Sequence, residues 1–432
     1  MARFRLRGSN LYAVRSRGIF SEMRVSASLA LALSFLAAIL AAQQSHSDLQ
    51  SLYDARRWFA LREAVAGRGA DLFYKAATEA AFHQDDRARG DLTRYIASHP
   101  EPVMLVEARE LLLGMDFRSA RYQDALIEAR QILALKPDAK DVANFLPILR
   151  VLAPYVRQTS TRHNPSTLHC QFLDQNLILP VTVHGESAHY ILDNGFSLSG
   201  MSESEAKRLR LSVHLVPTQV DSMSGAKVNV HIAVVPDLAL GETHLKNVAF
   251  YVFPDDQPPF NQLAPGHRGI LGLQVVIALE HFMWWPASGT FAIFSGTSDR
   301  LSPDANLAFD GSSVFTQLKF REAALDLSLD SGAQNTVLYP SFARQFSDLQ
   351  NGGAVQQHKV TGVGGSASIR SLTLPSLDFL LGGREVTLKP ATVLLEENNS
   401  TSGWFKGNLG MDLLNQGQSV DVNFGSMTLS LR

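Results

Sequence analysis

Two textures follow one another along the chain. From about His46 to Tyr155, apolar residues recur three and four positions apart, the period of helices with one buried face. "LQSLYDARRWFALREAVAG" and "YQDALIEARQILALKPD" keep that spacing without an internal proline and end at Gly or Pro, so each predicts a helix. After Pro154 the pattern shortens. "LILPVTVHG", "VNVHIAVVPDLALG", "VAFYVF", "GTFAIF", "VTLKPATVLL" and "SVDVNFGSMTLSL" are short runs rich in β-branched and aromatic residues, broken by Gly, Pro, Asn and Ser. They predict strands, with little helix among them. The polar stretch "RQTSTRHNPST" between the two textures reads as a linker.

A chain of 432 residues exceeds one ordinary domain, and the pattern divides it into an N-terminal segment 1–45, a helical region 46–157 and a β region from 168 to the end. Within the helical region, "AFHQDDRARGDLTRYIASHPE" and "DFRSARYQDALIEARQILALKPD" match loosely. Each has an aromatic start and a helix closed by proline, and Pro100 and Pro137 lie 37 residues apart. Tetratricopeptide-like hairpins and a plain helical bundle both fit this spacing.

The β region repeats a set of landmarks. Asp193 in "ILDNGF" lies 32 residues before Gly225 in "SMSGAKV", and Asp330 in "SLDSGA" lies 32 before Gly362 in "TGVGGSA". Gly272 in "GILGLQ" follows Asp193 by 79 residues, and Gly410 in "GNLGMD" follows Asp330 by 80. Each half then closes on a glycine-bent strand pair, "WWPASGTFAIF" and "VDVNFGSMTLSL". Landmarks in one order at one spacing point to two copies of a β unit, 168–298 and 312–432.

A carboxylate at the end of an apolar strand is costly alone. Two that meet at about 3 Å cannot both ionise cheaply, so they share a proton and can act together as base and acid. The titration then belongs to the pair.

These residues resemble the pepsin and retropepsin type of aspartic peptidases, and more specifically bacterial retropepsin-like proteins with an export signal and an N-terminal helical region. The likeness rests on hydrophobic-hydrophobic-Asp-[Thr/Ser]-Gly, a glycine-bearing flap about thirty residues later and a downstream hydrophobic-hydrophobic-Gly, which correspond here to "ILDNGF", "SMSGAKV" and "ILG", then "SLDSGA", "TGVGGSA" and "NLG". It implies a helical repeat-like region followed by a bilobal pair of β-barrels, with Asp193 and Asp330 as a catalytic dyad facing one cleft. It also implies hydrolysis of peptide bonds through an activated water, with no metal and no organic cofactor. Gly195 and Gly332 would offer backbone N–H groups to the carboxylates, and Ser331 would bond across to the opposite lobe. Ser197 would bond the outer oxygen of Asp193, with Gln334 in the matching place of the second half. Asn194 stands where the family has Thr or Ser, and Phe196 where a small residue is usual. Those two departures keep open an inactive peptide-binding or scaffold protein of the same fold. Met223, Ser224 and Gly225 in one half, and Gly362, Val363, Gly364 and Gly365 in the other, would form flaps over an extended peptide. The same glycines also suit ordinary hairpin turns.

Composition and charge narrow the rest. A formal net charge of −2 gives no basic footprint, so no nucleic-acid partner is expected. The single cysteine, Cys170, allows no internal disulfide. The thirteen histidines include no His-Glu-x-x-His, and no zinc site is expected. Residues 1–24 hold six arginines and one acid, Glu22, before the uncharged run from Val25 to Ala42. That is the order of an export signal, either cleaved or kept as an anchor, which places the protein in the periplasm or on the inner membrane facing it. The expected partners are a peptide or protein substrate and, through the helical region, a second protein.

Overall fold

A computed structural model of the protein describes residues 48–67, 71–98, 101–162, 165–221, 225, 227–294, 300–397 and 403–432. The segment 1–45 expected to direct export, Pro100, Met223 and Ser224 lie outside the described residues. The chain divides into two compact units, Met1–Arg57 and Trp58–Arg432. In the first, residues 48–54 are helical. The helix expected over "LQSLYDARRWFALREAVAG" is interrupted at residues 55–57, where Arg56 takes a φ of +53°. That left-handed conformation ends a helix although the apolar period runs on. Among the described residues, no helix is long and apolar enough to cross a membrane.

The second unit is mixed, helical first and then mostly β. Its six leading helices are α1 (Trp58–Val65), α2 (Leu72–Ala81), α3 (Asp85–Ser98), α4 (Pro102–Arg118), α5 (Tyr122–Leu135) and α6 (Lys140–Leu152). Asp71 caps α2 by accepting the Phe73 N–H at 2.8 Å, and proline opens α4 where no N–H partner is needed. In α5 the buried residues Tyr122, Ala125, Leu126, Ala129 and Ile132 follow the three-and-four spacing read from the sequence.

Among the described residues, the β region holds three sheets. A nine-stranded sheet runs in the order 159–162, 243–253, 199–202, 269–271, 186–192, 176–183, 227–240 and 213–221, with 171–173 beside 176–183. A ten-stranded sheet runs 354–362, 365–374, 391–394, 337–338, 407–409, 323–329, 313–320, 377–381 and 384–388, with 307–310 beside 313–320. The third sheet has five strands, 166–169, 290–293, 281–285, 420–423 and 428–431, so it draws on both halves of the β region. Trp284 sits in it opposite Val420, with its ring N–H on Asn415 Oδ1 at 3.1 Å. The polar stretch expected as a linker contributes edge strands instead, Thr159–Arg162 against Thr243–Lys246 and Ser166–His169 against Thr290–Ile293. A strand at an edge needs only its backbone for pairing, so polar side chains do not exclude it. Among the described residues, short α-helices lie between these strands at Glu203–Arg208, Leu273–Ala278, Pro340–Gln345 and Met411–Leu414.

The helices are fastened to both large sheets. Buried Gln274 accepts the Tyr122 hydroxyl at 2.6 Å and donates to Phe117 O at 2.5 Å. Thr218, on strand Val213–Asp221, donates to Asn144 O of α6 at 2.8 Å. Arg118 lies over the Phe309 ring, 4.6 Å from its centre, and donates to Gly311 O, Ala80 O and Asp85 Oδ1 at 3.2, 2.6 and 2.6 Å. These bonds satisfy buried polar groups and so fix where the helices rest.

Candidate active site

Asp193 and Asp330 each follow the last residue of a strand, Glu186–Leu192 in the nine-stranded sheet and Ala323–Leu329 in the ten-stranded one. Each strand is paired in parallel with a short one, Ile270 and Leu271 beside Ile191 and Leu192, and Asn408 and Leu409 beside Ser328 and Leu329. The backbone beyond is tied in the same way in both places. Asp193 N donates to Leu271 O and Asp330 N to Leu409 O, both at 3.0 Å. Leu273 N donates to Phe196 O at 2.7 Å and Met411 N to Ala333 O at 2.9 Å. Gly272 N donates to Ser199 Oγ at 3.1 Å and Gly410 N to Thr336 Oγ1 at 2.9 Å.

This scaffold brings the two carboxyl groups together. The Asp193 and Asp330 carboxyls lie within interaction range, and the charge of Asp330 bears directly on Asp193. Gly332 passes so close that a Cβ there would lie 2.1 Å from Asp193 Cγ, and one on Gly195 would lie 2.9 Å from Asp330 Oδ1. Only glycine permits that approach. Gly195 N donates to Asp193 Oδ1 at 2.8 Å, and Gly332 N and Ala333 N donate to Asp330 Oδ1 at 3.0 Å each. Burial pushes the Asp193 carboxyl well above the usual range, and the neighbouring Asp330 charge pushes it further, against the N–H groups of Gly195 and Phe196.

The two loops also grip each other. Asn194 Nδ2 donates to Leu329 O at 2.6 Å, and Asn194 Oδ1 accepts Ser331 N–H at 2.7 Å. Reciprocally, Ser331 Oγ donates to Leu192 O at 2.9 Å and accepts Asn194 N–H at 3.1 Å. The amide of Asn194 therefore does with two atoms what the Ser331 hydroxyl does with one. The Phe196 ring lies edge-on to Phe253, centroids 6.0 Å apart. The hydrogen bond of Ser197 runs to the Tyr251 hydroxyl at 3.4 Å, not to Asp193 as the resemblance implied. The donor to an outer carboxylate oxygen comes from elsewhere: Asn408 Nδ2 reaches Asp330 Oδ2 at 2.7 Å. Sequence reading passed over Asn408, although a polar residue in a hydrophobic-hydrophobic-Gly slot was a visible signal.

Of the expected flaps, Gly362, Val363, Gly364 and Gly365 form the tip of the hairpin Ala354–Gly362 and Gly365–Leu374, with Gly362 opposite Gly365. Gly364 and Gly365 take φ of +91° and +109°, which the tight turn requires. Val363 is buried in a cluster that includes Phe253, Phe260 and Ile270, and Gly364 N donates to Gln257 Oε1 at 3.1 Å. Gly225, φ +81°, lies beyond the strand pair Val213–Asp221 and Lys227–Leu240. Among the described residues, no group of three or more His, Cys, Asp or Glu could hold a metal ion.

Residues 179–275 match the family model described as aspartyl protease, a stretch that holds Asp193 and Gly272 and ends before Asp330. The chain is similar to a solved structure, a retropepsin-like aspartic protease from Rickettsia conorii, at 11% identity and a TM-score of 0.21, over 32% of this chain and 95% of that one. No curated protein matches the chain.

Proposed function

We propose that the protein is an aspartic endopeptidase whose dyad is Asp193 and Asp330. The observation that carries this reading is the contact between the two carboxyls, each on its own glycine turn and each held by backbone N–H groups. One proton is shared between them. A water bound at the pair loses a proton to the ionised carboxylate and attacks the peptide carbon, while the protonated carboxyl donates to the carbonyl oxygen. The tetrahedral diol then collapses, the C–N bond breaks and a carboxyl proton passes to the leaving nitrogen. No covalent enzyme intermediate forms.

The two acids come from two copies of one β unit, 168–298 and 312–432, in a bilobal retropepsin-like arrangement. Three backbone and hydroxyl bonds that recur around Asp193 and Asp330 support this, as does the parallel pairing repeated at 191–192 and 328–329. The helical region, 46–157, is tetratricopeptide-like and recruits a protein partner; its succession of short helices supports that role. The basic and then apolar residues 1–45 export the protein to the periplasm or anchor it there. Asp193 and Asp330 need no metal or organic cofactor for this chemistry.

The test is to incubate the purified protein with mixed denatured protein across about pH 3 to 7, beside Asp193→Asn and Asp330→Asn variants. Fragments from the wild type and none from either variant are expected. Absence of fragments at every pH would turn the assignment to a peptide-binding scaffold.

A further inference from the structure

Beside the aspartates the two halves differ at a matched pair of positions on the parallel strands. Where the first half sets Ile191 beside Ile270, both buried, the second sets Ser328 beside Asn408 in the same parallel register. Isoleucine offers no donor to a carboxylate; Asn408 offers its amide to Asp330 Oδ2 at 2.7 Å. Its orientation is fixed from behind, because the Ser328 hydroxyl donates to Asn408 Oδ1 at 2.5 Å. The chain of donors thus runs from the hydroxyl through the amide to Asp330, and both links favour negative charge at its end. Asp330 receives three donors, on both of its oxygens. The Asp193 carboxyl receives the Gly195 N–H at 2.8 Å, while the Phe196 N–H donates to the Asp193 main-chain carbonyl at 3.3 Å.

We infer that Asn408, oriented by Ser328, is a positioning residue that polarises the pair, holding the charge on Asp330 and leaving the shared proton on Asp193. Resting on the hydrolase reading above, this assigns the roles within it: Asp330 takes the proton from water and Asp193 donates to the substrate carbonyl. The other titratable groups around the pair are Tyr339, Tyr251 reached through Ser197, and Asp412, which accepts from Thr336 and Leu413. Burial raises both phenols, so they stay neutral in acid, and an Asp412→Asn variant serves as the reference for that carboxyl.

The experiment measures kcat/KM for peptide cleavage against pH in the wild type, Asn408→Leu and Ser328→Ala. Losing the donor disfavours the first ionisation of the pair, so the acidic limb moves up by about one pH unit in Asn408→Leu and by less in Ser328→Ala. A rate loss with an unmoved limb in both variants would make Asn408 merely structural and overturn the inference. Carboxyl-carbon NMR of the wild type, with resonances assigned through Asp193→Asn and Asp330→Asn, supplies a readout that needs neither activity nor a folded Asn408 variant. Asp330 ionising first is expected. Asp193 ionising first overturns the inference even if the protein cleaves, and a protein that cleaves nothing while Asp330 ionises first defeats only the hydrolase reading.

Discussion

Asn194 and Ser331, 137 positions apart, exchange two hydrogen bonds across the site, Ser331 N–H to Asn194 Oδ1 at 2.7 Å and Asn194 N–H to Ser331 Oγ at 3.1 Å. Each side chain also donates to the carbonyl before the opposite aspartate, Leu329 O and Leu192 O. The departure from Thr or Ser at position 194 therefore keeps the donor and acceptor roles that a hydroxyl would fill. Asn194→Thr is expected to leave stability within about 1 kcal/mol of wild type and cleavage within a few-fold. Asn194→Ala leaves Leu329 O and Ser331 N–H buried without this partner and is expected to cost about 2–4 kcal/mol in chemical denaturation. A large gain in rate for Asn194→Thr would mean that the amide holds the loops wrongly.

Gly332 is the tightest point of the site, with no room for a methyl against Asp193. Gly332→Ala is expected to push the carboxyls apart and lower kcat by about 100-fold or more. Gly195→Ala, whose Cβ would meet carboxylate oxygens at 2.9 and 3.0 Å, is expected to do less harm. Equal rates for Gly332→Ala and wild type would show that contact between the carboxyls is not needed.

Some of this was legible in the sequence and some was not, for physical reasons. The buried face of α5 and the aspartates at the ends of apolar strands depend on local spacing, which a sequence displays directly. Asn408 depends on a parallel pairing between strands 80 positions apart, Ser328 to Asn408, which no local pattern encodes. Gln274 occupies the place after Gly272 that Asp412 occupies after Gly410. It holds Tyr122 and Phe117 of the helical region, while Asp412 holds Thr336 of its own half. Likewise, the break at Arg56 is a backbone event inside an unbroken apolar period.

Stability should depend on pH through Asp193. A carboxyl whose pKa is raised by folding binds its proton more tightly folded than unfolded. Its contribution is therefore complete below the ordinary carboxylate value, about 3.9, and is lost as pH rises through the raised one. In urea titrations, the wild type is expected to lose stability relative to Asp193→Asn as pH rises through the acidic range. A constant difference between the two would deny that the fold holds Asp193 neutral.

Arg118 ties the helices to the β region. Burial alone would raise the Asp85 carboxyl, but Arg118, with His83 and Ser119, holds it well below the usual range. Arg118→Ala leaves Asp85 and the Ala80 and Gly311 carbonyls without that partner, and about 2–4 kcal/mol of destabilisation is expected. The loss should shrink as pH falls through the depressed value of Asp85, because a protonated Asp85 no longer needs the cation. A pH-independent loss would assign the whole effect to the carbonyls and to the Phe309 ring.

The hairpin tip at Val363 and Gly364 is fastened on the side away from its own sheet. Gly364 N–H reaches Gln257 Oε1 at 3.1 Å, and Val363 shares a cluster with Phe253 and Phe260 of the nine-stranded sheet's half. On the proposed peptidase reading this tip acts as a flap whose closure excludes water from a bound peptide, a closure that the Gln257 bond would favour. Gln257→Ala removes that bond without touching the dyad, so KM for a peptide is expected to rise by about 3- to 10-fold with kcat nearly unchanged. The comparison of the two constants decides what the latch does. A fall in KM would mean that the closed tip obstructs substrate entry, and a fall in kcat alone would mean that the flap helps to align the scissile bond with Asp193 and Asp330.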